Sequence, residues 1–122
     1  MNASRFRNLN VYIHAKELVK DVYALLRTLP SFERYALADQ MRRAVISVPS
    51  NIAEGMGRTS AKDQAHFLEI AFGSLMEIQC QLEISFEQGY LTEEQFNIYD
   101  SKIEAIAKML SGLCAIRTNP NH

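Results

Sequence analysis

Two histidines are each followed by a glutamate three residues later, a spacing that puts both side chains on one face of a helix. The pairs are His14 with Glu17 and His66 with Glu69. Helical bundles that bind two metal ions use the opposite order, Glu followed three residues later by His, together with two further inward-facing glutamates. Because the order is reversed in this sequence, we predict ordinary solvated histidines, no metal site and no cofactor.

A second group of candidate residues lies in the stretch QMRRAVISVPSNIAEGMGRTS, from Gln40 to Ser60. Asn51 competes with the helix backbone for hydrogen bonds unless its side chain has a partner, and we expect Glu54 to need a partner as well. Pro49 lacks a backbone N–H and frees the carbonyl four residues earlier. We therefore expect both side chains to satisfy backbone groups near the proline; otherwise they are the best candidates for contacting a ligand or partner.

Four basic side chains occur in and just after the same stretch, and they could contact phosphate groups or pair with the acidic second half of the chain. They are Arg42, Arg43, Arg58 and Lys62. We expect them to lie near one another. The sequence alone leaves both roles open.

The hydroxyl and thiol groups of the chain offer little support for catalysis. Ser47, Ser74 and Cys80 could act as nucleophiles only beside a general base, and the sequence places no pair of His and Asp near them. It also has no glycine-rich loop between a strand and a helix that could bind a phosphate group. We therefore predict that the protein is not an enzyme, and the sequence identifies no small-molecule substrate.

Helices must position these side chains, because apolar residues recur at steps of three and four along most of the chain. The sequence predicts a single all-α domain over residues 1–122, an antiparallel up-down-up-down four-helix bundle with short connections. The predicted helices cover about 9–29, 33–57, 61–88 and 93–116.

Glycine and proline mark special positions within these predicted helices. Pro49 should bend or restart the second helix, and Gly55 and Gly57 should end it. In the middle of the third helix, Gly73 and Ser74 should allow another helix to approach closely, since a glycine there costs about 1 kcal/mol of helix propensity and needs a packing reason.

The composition favours one globular domain that associates with itself. The chain has 122 residues, 48% of them hydrophobic, and a net charge of −1. Residues 1–62 carry ten Lys and Arg against five Asp and Glu, whereas residues 63–122 carry three against nine. The first helix has an unusually wide apolar face, which indicates burial against another subunit. Opposite charges in the two halves would let one subunit pair with the next.

The location of the protein is predicted from three features. The two cysteines, Cys80 and Cys114, lack the spacing of a metal or redox motif and are expected to be small core residues in a reducing compartment. No signal peptide is recognisable at the N-terminus. No apolar run approaches the length of a membrane span, so we expect a cytoplasmic protein that does not bind membranes.

Three strings, RRAVISVPSNIAEGMGRTS, FLEIAFGSLMEIQCQLE and GYL, resemble the four helix bundle protein family whose founding members are encoded in intervening sequences of bacterial 23S ribosomal RNA genes. The resemblance extends from about Leu9 to Leu113. Its NIAEG and GSL-x-E blocks are the most specific parts, the second block being Gly73, Ser74, Leu75 and Glu77. Tyr12 stands where relatives commonly carry tryptophan.

This resemblance implies an antiparallel bundle that assembles into a five-fold ring and has no established biochemical activity, despite a historical ribosomal-protein label. The leading expectation is a non-enzymatic homo-oligomer, a pentamer, with an assembly or scaffold role. A distant relative, the accessory protein of diversity-generating retroelements, partners a reverse transcriptase and nucleic acid through a basic surface. The alternative is therefore an accessory factor that binds RNA, DNA or a reverse transcriptase through a basic patch on the second helix.

Overall fold

The computed structural model describes residues 5–118, and every regular element within that range is helical. Two short 3-10 helices, Arg5–Asn8 and Ser31–Glu33, accompany four long α-helices. The α-helices are α1 (Asn10–Leu26), α2 (Leu37–Met56), α3 (Ala61–Glu87) and α4 (Glu93–Thr118). The prediction of an all-α four-helix bundle is confirmed.

The core of the bundle is built from one apolar stripe on each α-helix. On α1 the buried residues follow the steps of four and three that the sequence predicts: Val11, Ala15, Leu18, Val22 and Leu25. Stripes of the same kind on α2, α3 and α4 include fully buried Met41, Ile52, Leu75, Ile78, Ile103 and Ile106. Burial of these side chains supplies the main favourable free energy of folding.

Contacts between the connections show which ends of the helices meet. The Tyr90 hydroxyl donates a hydrogen bond of 2.8 Å to Glu33 Oε2, which joins the α3–α4 connection to the α1–α2 connection. Arg117 Nε donates to Gln64 Oε1 over 2.9 Å, which joins the end of α4 to the start of α3. Helices adjacent in sequence therefore run antiparallel, as short connections require.

Helix α2 differs from its predicted course at its start and in its middle. It begins at Leu37 and not near residue 33, because Pro30 precedes the short 3-10 helix Ser31–Glu33 and the chain turns before α2. It also runs through Pro49 without restarting. Its buried stripe keeps the same phase on both sides of the proline, so packing holds the helix together despite the lost backbone donor.

The wide apolar face of α1 packs largely against the core of its own chain. Tyr12, Val19 and Leu26, the second stripe on this helix, are partly buried and pack against the core. Phe6 meets the Tyr12 ring edge-on, with the ring centroids 5.0 Å apart. The breadth of this face therefore does not by itself require a second subunit.

Within residues 5–118, no helix combines the length and the apolar character needed to cross a bilayer.

Candidate functional site

A polar network joins α2 to α3 at the middle of the bundle. Ser47 Oγ and Ser74 Oγ lie 2.8 Å apart. Asn51 Nδ2 donates to Ser47 Oγ over 2.9 Å and to the Ser47 carbonyl over 2.8 Å. Because Ser47 Oγ accepts a hydrogen bond from the amide, its own proton is available for Ser74. We call these three residues the serine–asparagine network.

Asn51 bonds a backbone group, but not the one that the sequence suggested. Pro49 leaves the carbonyl of Val45, four residues earlier, without its usual donor. The Asn51 amide bonds the carbonyl of Ser47, one turn before Asn51 itself, and the Ser47 hydroxyl. The side chain is half-buried between the two helices, so it connects α2 to α3 through Ser47 and Ser74.

Glu54 does not bond the backbone, and the expectation that it would do so is wrong. Its side chain is exposed and accepts a hydrogen bond of 2.6 Å from Arg58 Nη2. The Arg58 guanidinium lies over the Phe67 ring, with Cζ 4.6 Å from the ring centroid. This cation–π contact and the ion pair hold the end of α2 beside the start of α3.

The close approach between these helices occurs at Gly55 and not at Gly73. A Cβ atom on Gly55 would lie 3.2 Å from the Gln64 carbonyl oxygen and 3.2 Å from Phe67 Cβ. Gly55 is thus a buried packing position inside α2, while Gly57 is the residue that caps the helix. A Cβ on Gly73 would meet no atom within 4 Å, because this face of α3 is exposed, so only Ser74 of the predicted pair contacts a neighbouring helix.

The four basic candidates do not form one cluster. Arg42 and Arg43 lie in the second turn of α2 and both pair with Asp39. Arg58 follows the end of α2, and Lys62 lies in the first turn of α3. Since a helix rises 1.5 Å per residue, the two pairs are about 20 Å apart. The expectation of a single basic patch is therefore wrong: three of the four charges are paired with carboxylates at two separate places.

The titratable groups of the bundle do not form a catalytic arrangement in residues 5–118. Burial raises the pKa of Tyr99 to about 12, and its hydroxyl donates to the Asp21 carbonyl over 2.7 Å. Burial also raises the pKa of the Cys114 thiol, which makes it a weaker nucleophile at neutral pH. The hydrogen bond to Glu33 raises the pKa of Tyr90.

The histidines and cysteines have ordinary surroundings in the described part of the chain. His14 Nδ1 lies 3.9 Å from Glu17 Oε2 on the surface of α1, and the His66 ring packs edge-on against Phe67. No group of three or more His, Cys, Asp or Glu side chains within residues 5–118 is arranged to hold a metal ion. Cys80 is exposed, contrary to the expectation of a core residue, because it lies about 140° around α3 from buried Leu75.

Two exposed aromatic residues form a surface feature that sequence reasoning missed. Phe32 is 75% exposed and Tyr35 is 86% exposed, both in the connection between α1 and α2. Arg34 lies beside the second ring, with its guanidinium carbon 5.5 Å from the Tyr35 centroid. A signal existed in the sequence, because these aromatics fall where the steps of three and four are interrupted.

Gln81 is a second residue that the sequence gave no reason to select. It is buried on α3, and its Nε2 donates to Glu77 Oε2 over 3.3 Å. Its Oε1 atom is buried and has no hydrogen-bond partner within residues 5–118. An amide oxygen in that situation raises the free energy of the fold unless water or another group reaches it.

We expect Asn51→Ala to lower the free energy of unfolding by about 1 kcal/mol, because it removes two hydrogen bonds from a half-buried network. Glu54→Ala should change it by less than about 0.5 kcal/mol, because the ion pair with Arg58 is exposed to solvent. Urea unfolding followed by circular dichroism measures both values. Equal losses in the two variants would contradict this assignment, since they would require Glu54 to be as structurally important as Asn51.

Comparison with known proteins covers almost the whole chain. The family model described as 23S rRNA-intervening sequence protein matches residues 7–112. Among solved structures, the chain resembles a protein of unknown function from the S23 ribosomal protein family of Bacteroides thetaiotaomicron VPI-5482. The TM-score is 0.79 at 24% sequence identity, and the match covers 85% of this chain and 97% of that one. No curated protein matches the sequence.

Proposed function

We propose that this chain, which belongs to the 23S rRNA-intervening sequence protein family, is a cytoplasmic, non-enzymatic homo-oligomer with an assembly or scaffold role. The observation that carries this proposal is the pair of exposed aromatic rings, Phe32 and Tyr35. Two large aromatic side chains exposed within four residues of each other on one connection favour association with another protein.

The exposure of these rings is built into the fold. The connection that carries them follows Pro30 as a 3-10 helix, in which the Glu33 and Arg34 amides donate to the Pro30 and Ser31 carbonyls. The Glu33 carboxylate is held in turn by Tyr90. A connection fixed at these points keeps Phe32 and Tyr35 outward, which supports a role in contacting a partner.

The polar features of the bundle support a structural role in preference to catalysis. The serine–asparagine network links the side chains of α2 and α3 through hydrogen bonds of 2.8–2.9 Å. Within residues 5–118, neither serine is hydrogen-bonded to a general base, which an activated hydroxyl requires. Of the residues that the family resemblance emphasises, Gly55 and Ser74 lie at contacts between α2 and α3, and Asn51 bonds the Ser47 hydroxyl beside them, which supports a structural role.

We expect the purified protein to form a stable oligomer at micromolar concentration and moderate salt. Size-exclusion chromatography with light scattering should give a mass that is a multiple of the 13.9 kDa chain, with five copies as the number that the family resemblance implies. The protein concentration should run from 1 to 100 µM, which spans about 2.7 kcal/mol of association free energy. A particle with the mass of one chain at every concentration would contradict the proposal.

Nucleic-acid binding is the competing function, and one observation favours it. Arg58, Lys62 and Arg117 belong to the same end of the bundle, because Arg117 contacts Gln64 at the start of α3. A mobility-shift assay with single-stranded RNA and duplex DNA at two salt concentrations separates the two functions. Binding that weakens steeply as salt rises would support phosphate contacts and the competing function, whereas an assembly protein should give no shift even at low salt.

A further inference from the structure

The exposed aromatic corner between α1 and α2 has the chemistry of one half of an interface. We define the aromatic corner as residues 27–36, which include Phe32, Arg34 and Tyr35. An aromatic side chain of this kind buries about 150–250 Å² when covered, so the two rings supply roughly 250–400 Å² at their observed exposures. A stable interface needs about 800 Å² on each partner, and the rings would provide a large share.

The charge of the aromatic corner is positive. Arg27, Arg34 and Arg42 line a shallow recess beside Tyr23, together with Asp39. Asp39 is already paired with Arg42 and with a second arginine of α2. Among the residues described, Arg27 and Arg34 form no ion pair within the chain, so their charges are available to carboxylates of a partner.

The opposite chemistry lies on the first three turns of α4. A shallow groove there is lined by Glu93, Glu94, Asn97, Ile98, Ser101 and Lys102. Ile98 is 51% exposed and forms its apolar part. Lys102 pairs with Asp21 of α1, whereas Glu93 and Glu94 form no ion pair within residues 5–118. We call this surface the α4 groove.

The two surfaces complement each other, and they belong to the same chain. The aromatic corner offers two rings and unpaired guanidinium groups, and the α4 groove offers an exposed isoleucine and unpaired carboxylates. The corner does not occupy the groove of its own chain, because both of its rings are exposed. We propose that the aromatic corner of one copy docks into the α4 groove of a second copy.

This interface deepens the proposed function and rests on it. A contact between two different surfaces is heterologous, so repeating it produces either a closed ring or an open filament. Both surfaces lie at the end of the bundle where Tyr90 contacts Glu33. Copies arranged side by side can then join at one level along the bundle axis, as a closed ring requires.

The test compares charge reversals on each surface with their combination in one chain. R27E/R34E and E93K/E94K should each raise the dissociation constant of the oligomer at least tenfold, because each places like charges in contact. The combined variant, which carries all four substitutions, restores opposite charges and should recover assembly. F32S/Y35S removes both rings and should dissociate the oligomer whether or not the charges are reversed. E69K/E83K, on exposed positions of α3, is the control that should leave the oligomer intact.

Light scattering across a dilution series gives the oligomer mass of each variant, and far-ultraviolet circular dichroism verifies that each one is helical. Wild-type assembly with unchanged mass in F32S/Y35S and in both charge reversals would overturn this interface and leave the assembly function standing. Dissociation that the combined variant does not reverse would overturn the pairing of the corner with the α4 groove. A monomeric wild-type protein would overturn both proposals.

Discussion

Leu75→Ala is expected to lower the free energy of unfolding by about 2–5 kcal/mol, the range for removing a large apolar side chain from a packed core. Leu75 is fully buried in the middle of α3, the helix that packs against both α2 and α4. The substitution removes favourable burial and leaves a cavity that the surrounding helices can close only in part.

Ile70→Ala is the matched control for Leu75→Ala, because Ile70 lies on the same helix but is 38% exposed. Its expected loss is smaller, about 1 kcal/mol, since less apolar area leaves contact with protein. Both variants should be unfolded in urea at the same protein concentration, because stability depends on concentration in an oligomer. A loss at Leu75 no greater than that at Ile70 would contradict the position of Leu75 at the centre of the core.

Gly55→Val is expected to lower the free energy of unfolding by about 1–3 kcal/mol, the usual cost of forcing extra atoms into a packed interior. The first added carbon would lie 3.2 Å from the Gln64 carbonyl oxygen. That oxygen belongs to the backbone of α3, so it cannot move away by a change of rotamer. The ends of α2 and α3 must separate instead, and the Arg58 contact with Phe67 would be weakened with them.

Gly73→Ala should have the opposite effect on stability and raise the free energy of unfolding by about 0.5–1 kcal/mol. Nothing lies within 4 Å of the added Cβ, so only the higher helix propensity of alanine remains. Thermal unfolding of the two variants beside the wild-type protein is sufficient to compare them. A stabilised Gly55→Val variant would show that α2 and α3 are not in close contact at this position.

The helices could be predicted from the sequence because their evidence is local. The buried residues of α1 recur at steps that one helix determines by itself. The start of α2 could not be located in this way. The corner before Leu37 is held partly by the Tyr90 hydrogen bond to Glu33, which joins residues 57 positions apart in the chain.

The residues of the candidate site could be selected from the sequence, but their hydrogen-bond partners could not. Asn51 and Ser74 were selected from the sequence, but their connection through Ser47 depends on how far α2 and α3 slide along each other. That register also decides which glycine is tightly packed, and it selects Gly55 over Gly73. The interrupted steps of three and four place Phe32 and Tyr35 in a connection, but that signal does not distinguish exposed aromatic rings from rings that fold back onto the core.

The contacts between α2 and α3 differ in their distance along the sequence, and this has a consequence for the order of folding. Near the connection, Gln64 bonds the carbonyl of Arg58, only 6 residues away. Further along the pair, Ser47 meets Ser74 at a separation of 27 residues. Each contact shortens the loop that the next one must close, so the entropy lost at each step stays small.

The contacts described between α1 and α4 join residues that are far apart in the chain. Tyr99 bonds the carbonyl of Asp21 across 78 residues, and Lys102 pairs with the same residue across 81. Contacts between residues that are close in sequence lose less entropy when they form. We therefore expect the α2–α3 hairpin to form outward from its connection before α1 and α4 come together. We likewise expect the junction of α1 with α4 to close last and open first, and amide hydrogens beside it to exchange with solvent sooner than those of the hairpin.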